Sequence, residues 1–317
     1  MENQKTRLAP SPTGALHLGN ALTFVVNWAL ARQQGWEIVL RIEDLDTPRV
    51  KPGVVQQTID TLRWLGLDWD AEQPLQSSDL SPYMDAMRTL ASKGRVYPCS
   101  LTRGEIAEAA GAPHEDSGEI RFDPSLRPAE FPDRFDDIGA NWRFVVIDEV
   151  IKFNERFAET KASNPGQTVG DFVVWTQRGQ PSYQLAVTVD DARQGITHIV
   201  RGNDLIDSAA RQSLLRNALS FEQVPHYYHT PLVRGSDGRR LAKRHGDTRI
   251  DSYKDHGVPP ERILALLARW AGIPGNPGSI TIQAFTEAFR VDTMPRDDLT
   301  FTPEDDRWLL RSAPHSR

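Results

Sequence analysis

Apolar residues recur at helical spacing from Leu18 through Leu22, Val25, Val26, Ala29 and Leu30, and the run stops at Gly35, the residue type that most readily takes the left-handed position closing a helix. A short strand-like stretch, Thr6 to Ala9, precedes it. A continuous apolar run, Trp36 to Ile42, follows it and has the character of a strand covered on both faces. Strand, turn, helix and strand in this order predict the first half of a doubly wound nucleotide-binding sheet. Two more helices are predicted: Val54 to Leu65, ended by Gly66, and one with Ser81 as N-cap, Pro82 in the first position and Gly94 at its end.

The pattern changes after Arg95. As far as Phe135 the chain is rich in Pro, Gly, Ala and acids and holds no sustained period; alternation returns over Trp142 to Ile147. Asp171 to Gln177 and Ser182 to Val189 read as two strands joined by the turn Arg178-Gly179-Gln180-Pro181. Ile196 to Val200 is a further buried strand, Asp207 or Ser208 is positioned to cap a helix through Leu219, and Tyr227 to Val233 is another strand. A polar loop, Gly235 to Asp247, leads to a helix near Ile250 to His256 and then to a strongly amphipathic one from Pro259-Pro260 through Trp270. The fold class expected is α/β, a Rossmann-type doubly wound parallel sheet with an inserted α+β subdomain and a small C-terminal helical region. The corresponding divisions are 1–95, 96–189, 190–257 and 258–317.

Composition narrows the classes. With 39% apolar and 25% charged residues in 317, the chain can bury a large core. No run approaches the roughly 20 apolar residues of a membrane span, and Met1 to Lys5 lacks a signal-peptide layout. The lone Cys99 excludes an internal disulfide, so a reducing, cytoplasmic setting is expected. A monomer with no membrane partner is expected as well. A net charge of -6 argues against a generic polyanion binder and leaves RNA binding to a local patch, such as Arg234, Arg239, Arg240, Lys243 and Arg244.

The candidate chemistry gathers where such a sheet places its ligands. Leu8 to Asn20 reads Leu-Ala-Pro-Ser-Pro-Thr-Gly-Ala-Leu-His-Leu-Gly-Asn. Amides at the mouth of the following helix, close-approach glycines and the donor His17 would cradle phosphate there. Glu43, Asp44 and Asp46 cluster at the end of the second strand, with Glu43 suited to a substrate ammonium and Arg7, on the neighbouring strand, to a carboxylate. Arg201, at the end of a later strand, adds a second guanidinium and points to an acidic amino acid. Tyr183 offers a phenol to the pocket wall, and Lys243, central in a basic loop, can stabilise charge building on pyrophosphate.

These residues carry a resemblance. Arg7 to Asn20 resembles the HIGH signature of class I glutamyl-type aminoacyl-tRNA synthetases, and Arg41-Ile-Glu-Asp-Leu-Asp46 matches their next motif. Tyr183 to Asp191, His198 to Leu205 and the loop Arg240-Leu-Ala-Lys-Arg244, which stands at the KMSKS position, complete a collinear match from Arg7 to about Tyr253. The resemblance implies that Arg7, Ala9, Ser11, Glu43, Tyr183 and Arg201 bind L-glutamate. It implies that His17, Gly19, Asn20 and Lys243 act on ATP, with His17 and Lys243 catalytic and Mg²⁺ accompanying the nucleotide. Only about 60 residues follow the matched stretch, which makes the chain similar to the shortened branch of the family. Those paralogues pass glutamate to the queuosine base in the anticodon of tRNA(Asp). Many members hold zinc in the insert through a Cys-x-Cys pair; here the stretch reads Cys99-Ser100-Leu101, and zinc is expected to be absent. A truncated enzyme charging the 3′ end of tRNA and a non-catalytic binding protein on the same scaffold remain alternatives.

Overall fold

Strand β1 (Lys5–Leu8) runs into helix α1 (Leu18–Gln34) and the chain returns as β2 (Glu37–Leu40), in the order the pattern predicts. The structure is a computed structural model that describes residues 4–46, 49–109, 120–239, 241 and 247–311. Gly35 closes α1 at φ 67°, its N–H returning to the Ala31 carbonyl. Next come α2 (Val54–Trp64), β3 (Ala71–Glu72), α3 (Ser81–Ser92), β4 (Val96–Pro98), α4 (Arg103–Ala109), β5 (Trp142–Phe144), β6 (Ile151–Lys152) and β7 (Asn154–Glu155). The middle of the chain supplies β8 (Ala162–Ser163), α5 (Pro165–Thr168), β9 (Phe172–Thr176), β10 (Gln180–Pro181), α6 (Tyr183–Arg193), β11 (His198–Gly202), α7 (Ile206–Leu219) and β12 (His226–Thr230). The last part holds β13 (Val233–Gly235), α8 (Ile250–Asp255), α9 (Pro260–Trp270), α10 (Ile282–Ala288), β14 (Leu299–Phe301) and α11 (Pro303–Leu310).

Two parallel sheets, β1-β2-β3 and β11-β12-β7, meet along β1 and β11. Thr197 joins them by donating its N–H to the Lys5 carbonyl at 2.9 Å and accepting the Lys5 N–H at its hydroxyl at 2.7 Å. Successive residues along one strand enter different cores: Ile38 and Leu40 join Leu22, Val26, Leu266 and Phe285 on one face, while Val39 joins Met87, Leu185 and Leu215 on the other. Helices therefore cover both faces, which is the doubly wound arrangement. The insert forms a four-stranded antiparallel sheet, β10-β9-β5-β4, with a separate small core of Tyr97, Cys99, Ile106 and Phe122. Beside that core, buried Asp171 accepts hydrogen bonds from Tyr97, Arg127 and the Val146 amide.

Several elements differ from the sequence reading. Ser182 to Val189 is not a strand: the hairpin exists, but its second strand is only Gln180–Pro181, and α6 begins at Tyr183. Leu185 to Asp191 are all buried, so α6 shows no polar face and no helical period, while Val187, Thr188 and Val189 imitate a strand. The expected division at Val189 falls inside this helix, and β7, from within the expected insert, pairs with β12 in the parallel sheet. Helix α7 starts at Ile206, so neither Asp207 nor Ser208 caps it. Ser81 is the first residue of α3, and Asp79 accepts its N–H and its hydroxyl. The strand expected over Tyr227 to Val233 divides into β12 and β13 around Pro231, which has no N–H for a ladder. The C-terminal part is not merely appended: β14 pairs with β13, and Phe285, Phe289 and Phe301 share the core of α1.

Candidate active site

The turn after β1 is sewn to the end of β2, because the Arg41 N–H reaches the Leu8 carbonyl at 2.9 Å and the Glu43 N–H reaches the Pro10 carbonyl at 3.0 Å. A cavity of about 610 Å³ opens at the carboxyl ends of β1, β2 and β11, where parallel sheets place their ligands. Arg7, Ala9, Ser11, Glu43, Tyr183 and Arg201 line it together with His17, Gly19 and Asn20. These nine expected positions, drawn from distant parts of the chain, thus share one cavity. Gly14 also lines it and has open space where a side chain would project.

The helix mouth works differently from the expectation. His17 is the N-cap of α1, and its Nδ1 accepts the N–H groups of Gly19 at 3.1 Å and Asn20 at 3.4 Å. The Leu18 N–H goes to the Thr248 carbonyl at 3.1 Å and that of Ala21 to the His17 carbonyl at 3.0 Å. All four amides of the first turn are therefore engaged within the chain, so the expected cradle of open backbone amides is not present at this helix mouth. With Nδ1 accepting, the imidazole proton sits on Nε2, so the ring turns two backbone donors into one side-chain donor. Gly19 permits this, since a Cβ there would lie 3.1 Å from the His17 ring carbon Cε1.

Deeper in, buried charges are held by one another. Asp191 Oδ1 accepts Arg7 Nε at 3.3 Å and Arg41 Nη1 at 2.8 Å, and Arg41 also reaches Glu43 Oε1 through Nη2 at 3.0 Å. Burial raises the Asp191 pKa, but Arg41, Arg7 and Arg216 outweigh it and hold the carboxyl below its usual range. At Glu43 the balance is reversed: burial outweighs Arg41 and Arg7, and the carboxyl titrates above its usual range. Arg41 occupies Glu43 Oε1, which among the described residues leaves Oε2 for a cation. Of the neighbouring acids, Asp44 turns away to accept the N–H and hydroxyl of Ser77, and Asp46 pairs with Arg49 at 3.4 Å.

Arg7 donates to Asp191 and, through Nη1, to the Val200 carbonyl at 3.4 Å. Its Nη2 is left over among the described residues. Arg201 spends one N–H from each nitrogen, on His229 Nε2 at 3.0 Å, Gln212 Oε1 at 2.9 Å and the Leu205 carbonyl at 3.1 Å. A guanidinium has five donors, so among the described residues one on each terminal nitrogen remains, and two terminal nitrogens are what a carboxylate can take bidentately. Tyr183, in the first turn of α6, keeps 39% of its surface open, yet the protein around it desolvates the phenolate and raises its pKa, leaving a neutral donor. Arg41 and Asp191 had no assigned role in the sequence reading. Their signal was there, because a carboxylate or guanidinium inside an apolar run is buried only when paired.

The polar loop is anchored on both sides of the cavity mouth. On one side β13 leaves Val233 in the wall; on the other, the Ile250 N–H reaches the Leu16 carbonyl at 2.8 Å and Thr248 accepts from Leu18. Leu241 also lines the cavity, while Lys243 lies outside the described residues. Among the described residues no group of three or more His, Cys, Asp or Glu side chains could hold a metal ion.

The chain matches a family model described as tRNA synthetases class I (E and Q), catalytic domain, over residues 3–298. It is 43% identical over 290 residues to a protein named glutamyl-Q tRNA(Asp) synthetase from Rhodopirellula baltica, covering 86% of each chain. It is 40% identical to a protein of the same name from Symbiobacterium thermophilum, over 94% of this chain and 96% of that one. A glutamate–tRNA ligase from Azorhizobium caulinodans is 34% identical over 93% of this chain and 63% of its own length. Among solved structures, a glutamate–tRNA synthetase from Elizabethkingia anophelis superposes with a TM-score of 0.78 at 25% identity, covering 97% of this chain and 70% of that one.

Proposed function

The chain belongs to the class I tRNA synthetases of the E and Q type, a family of ligases, and from that premise we propose that its cavity activates L-glutamate with ATP and that the glutamyl group then passes to the queuosine base in the anticodon of tRNA(Asp). The observation that carries the first half is the set of leftover valences: Glu43 Oε2 for an ammonium, and Arg7 Nη2 with the Arg201 fork for two carboxylates. Only a dicarboxylic amino acid fills all three. The neutral phenol of Tyr183 adds a donor beside them.

In the activation step an α-carboxylate oxygen of glutamate attacks the α-phosphorus of ATP and the bond to the β-phosphate oxygen breaks, releasing pyrophosphate. The Nε2–H of His17, aimed from the mouth of α1, and the ammonium of Lys243 meet the charge that develops on the phosphates. Arg7, Arg201 and Glu43 hold the amino acid so that its reacting carboxylate faces the nucleotide side of the cavity. A hydroxyl of the cyclopentene ring of queuosine then attacks the acyl carbon, and AMP leaves. The second half rests on the relatives named glutamyl-Q tRNA(Asp) synthetase, which match at 40–43% identity across most of both chains.

Two measurements test this. Purified protein is expected to exchange pyrophosphate into ATP with glutamate and without tRNA. Labelled glutamate, located after nuclease cleavage of charged tRNA(Asp), is expected on the anticodon fragment. Label on the 3′-terminal adenosine overturns the acceptor assignment and leaves the reading of a 3′-charging enzyme, the activity named for the relative from Azorhizobium caulinodans.

A further inference from the structure

Arg201, His229 and Glu155 sit on three adjacent parallel strands, β11, β12 and β7, and form one buried chain of hydrogen bonds. Arg201 and His229 are direct partners in the ladder, and Glu155 pairs with Tyr227, two residues before His229 on the same face. Arg201 Nε donates to His229 Nε2 at 3.0 Å, and His229 Nδ1 lies 2.5 Å from Glu155 Oε2. The other carboxylate oxygen of Glu155 accepts the amides of Phe157 at 2.9 Å, Ala158 at 2.8 Å and His229 at 3.3 Å. Exposures of 5% for Arg201, 1% for His229 and 5% for Glu155 keep bulk solvent away from this chain.

The donor inventory fixes the direction of the relay. A guanidinium cannot accept, so His229 Nε2 must present its lone pair; the ring is then neutral, with its proton on Nδ1, and that proton goes to Glu155. Burial and the Arg201 charge both favour the neutral ring. We propose that Glu155 and His229 are positioning residues for substrate: Glu155 sets the tautomer of His229, and His229 sets the plane of the Arg201 guanidinium, so that its two remaining N–H groups face the cavity as a fork. The Tyr227 ring beneath the guanidinium, 5.1 Å from its centre, and Gln212 complete the clamp. Neither Glu155 nor His229 lines the cavity, so each acts only through Arg201.

This inference rests on the reading that Arg201 takes a carboxylate of glutamate, and the experiment separates the two. Pyrophosphate exchange is measured in the full-length chain with glutamate and ATP varied independently, for R201Q, H229F, H229Q and E155Q, with thermal melting of each. The expected result is a KM for glutamate raised about tenfold or more in H229F, because a displaced fork loses its aim, with the KM for ATP within about twofold of wild type. H229Q, which can return an acceptor near the position of Nε2, is expected to recover most of that loss, and E155Q to fall between. If R201Q leaves the glutamate KM unchanged, the reading of the site fails. If R201Q raises it while H229F and E155Q do not, or if their effects fall equally on ATP, the relay is overturned. Should H229F fail to fold, the H229Q and E155Q pair decides by the same split.

Discussion

Substituting Glu43 by Gln isolates the charge of one oxygen in the cavity. The amide keeps an acceptor for Arg41, and Arg41 keeps Asp191 at 2.8 Å and Gln194 at 2.9 Å, so the frame around it holds. What disappears is the anion that faces the substrate ammonium. Breaking a desolvated charge pair costs about 2–5 kcal/mol. Part of that is already spent in the free protein, since burial holds the Glu43 pKa above its usual range and the carboxylate must ionise to bind. A loss of about 3 kcal/mol, roughly two orders of magnitude in kcat/KM for glutamate, follows. The KM for ATP is expected to stay within about twofold. The pH dependence has a definite sign: kcat/KM for glutamate in the wild type falls on acidification at a pH above that of an ordinary carboxylate, and E43Q lacks that limb. Stability moves the other way. A carboxyl with a raised pKa in the folded state opposes folding once the pH exceeds its unfolded value, so E43Q melts no lower than wild type at neutral pH. Pyrophosphate exchange across pH 5–8 reads all of this; a glutamate KM within threefold of wild type refutes the assignment.

Gly19→Ala places a methyl group against the His17 ring, so the cap is displaced; a loss of about 1 kcal/mol in stability and a raised KM for ATP are expected, read by melting and exchange kinetics. Lys243→Ala is expected to lower kcat for exchange about 10²-fold while the glutamate KM changes little, and an unchanged kcat removes the loop from the mechanism. His198 stacks on Trp36 with ring centroids 3.9 Å apart, and burial, with His226 and Arg156, pushes its pKa down to about 4. The unfolded chain therefore takes up this proton first: stability that is full above about pH 6.5 is lost as the pH falls towards 4, by up to about 3 kcal/mol. Urea unfolding of wild type and His198→Phe at pH 7 and pH 4.5 checks it, and an equal gap at both values refutes it.

The fold was legible where one periodicity dominates and a terminator marks its end. Helix α1 shows both, with Gly35 in the left-handed region and an apolar stripe from Leu18 to Leu30. Helix α6 has the terminator, Gly195 at φ 68°, but no dominant period. It packs against α7, α3 and β9, all its residues from Leu185 to Asp191 are buried, and a helix without a polar face leaves no 3.6-residue signature. The same burial concealed the most consequential charges. Asp191 read as part of an Asp pair after a supposed strand, yet its carboxylate holds both Arg41 and Arg7, and Arg7 lines the cavity. The helix mouth gives the sharper lesson. Sequence places His17 beside the first-turn amides and suggests that both reach for phosphate, but a ring nitrogen can satisfy two of those amides itself. Once it does, the amides are spent and the opposite nitrogen carries the donor, which on the function proposed above moves the phosphate contact from backbone to side chain. Only coordinates could decide between ring and backbone, because both arrangements use the same residues at the same spacing. The consequence for chemistry is specific. A donor on a side chain can follow the phosphate as charge shifts from the α- to the β-oxygen, whereas amides locked in a helix cannot, and Gly19 is the residue that makes room for that exchange.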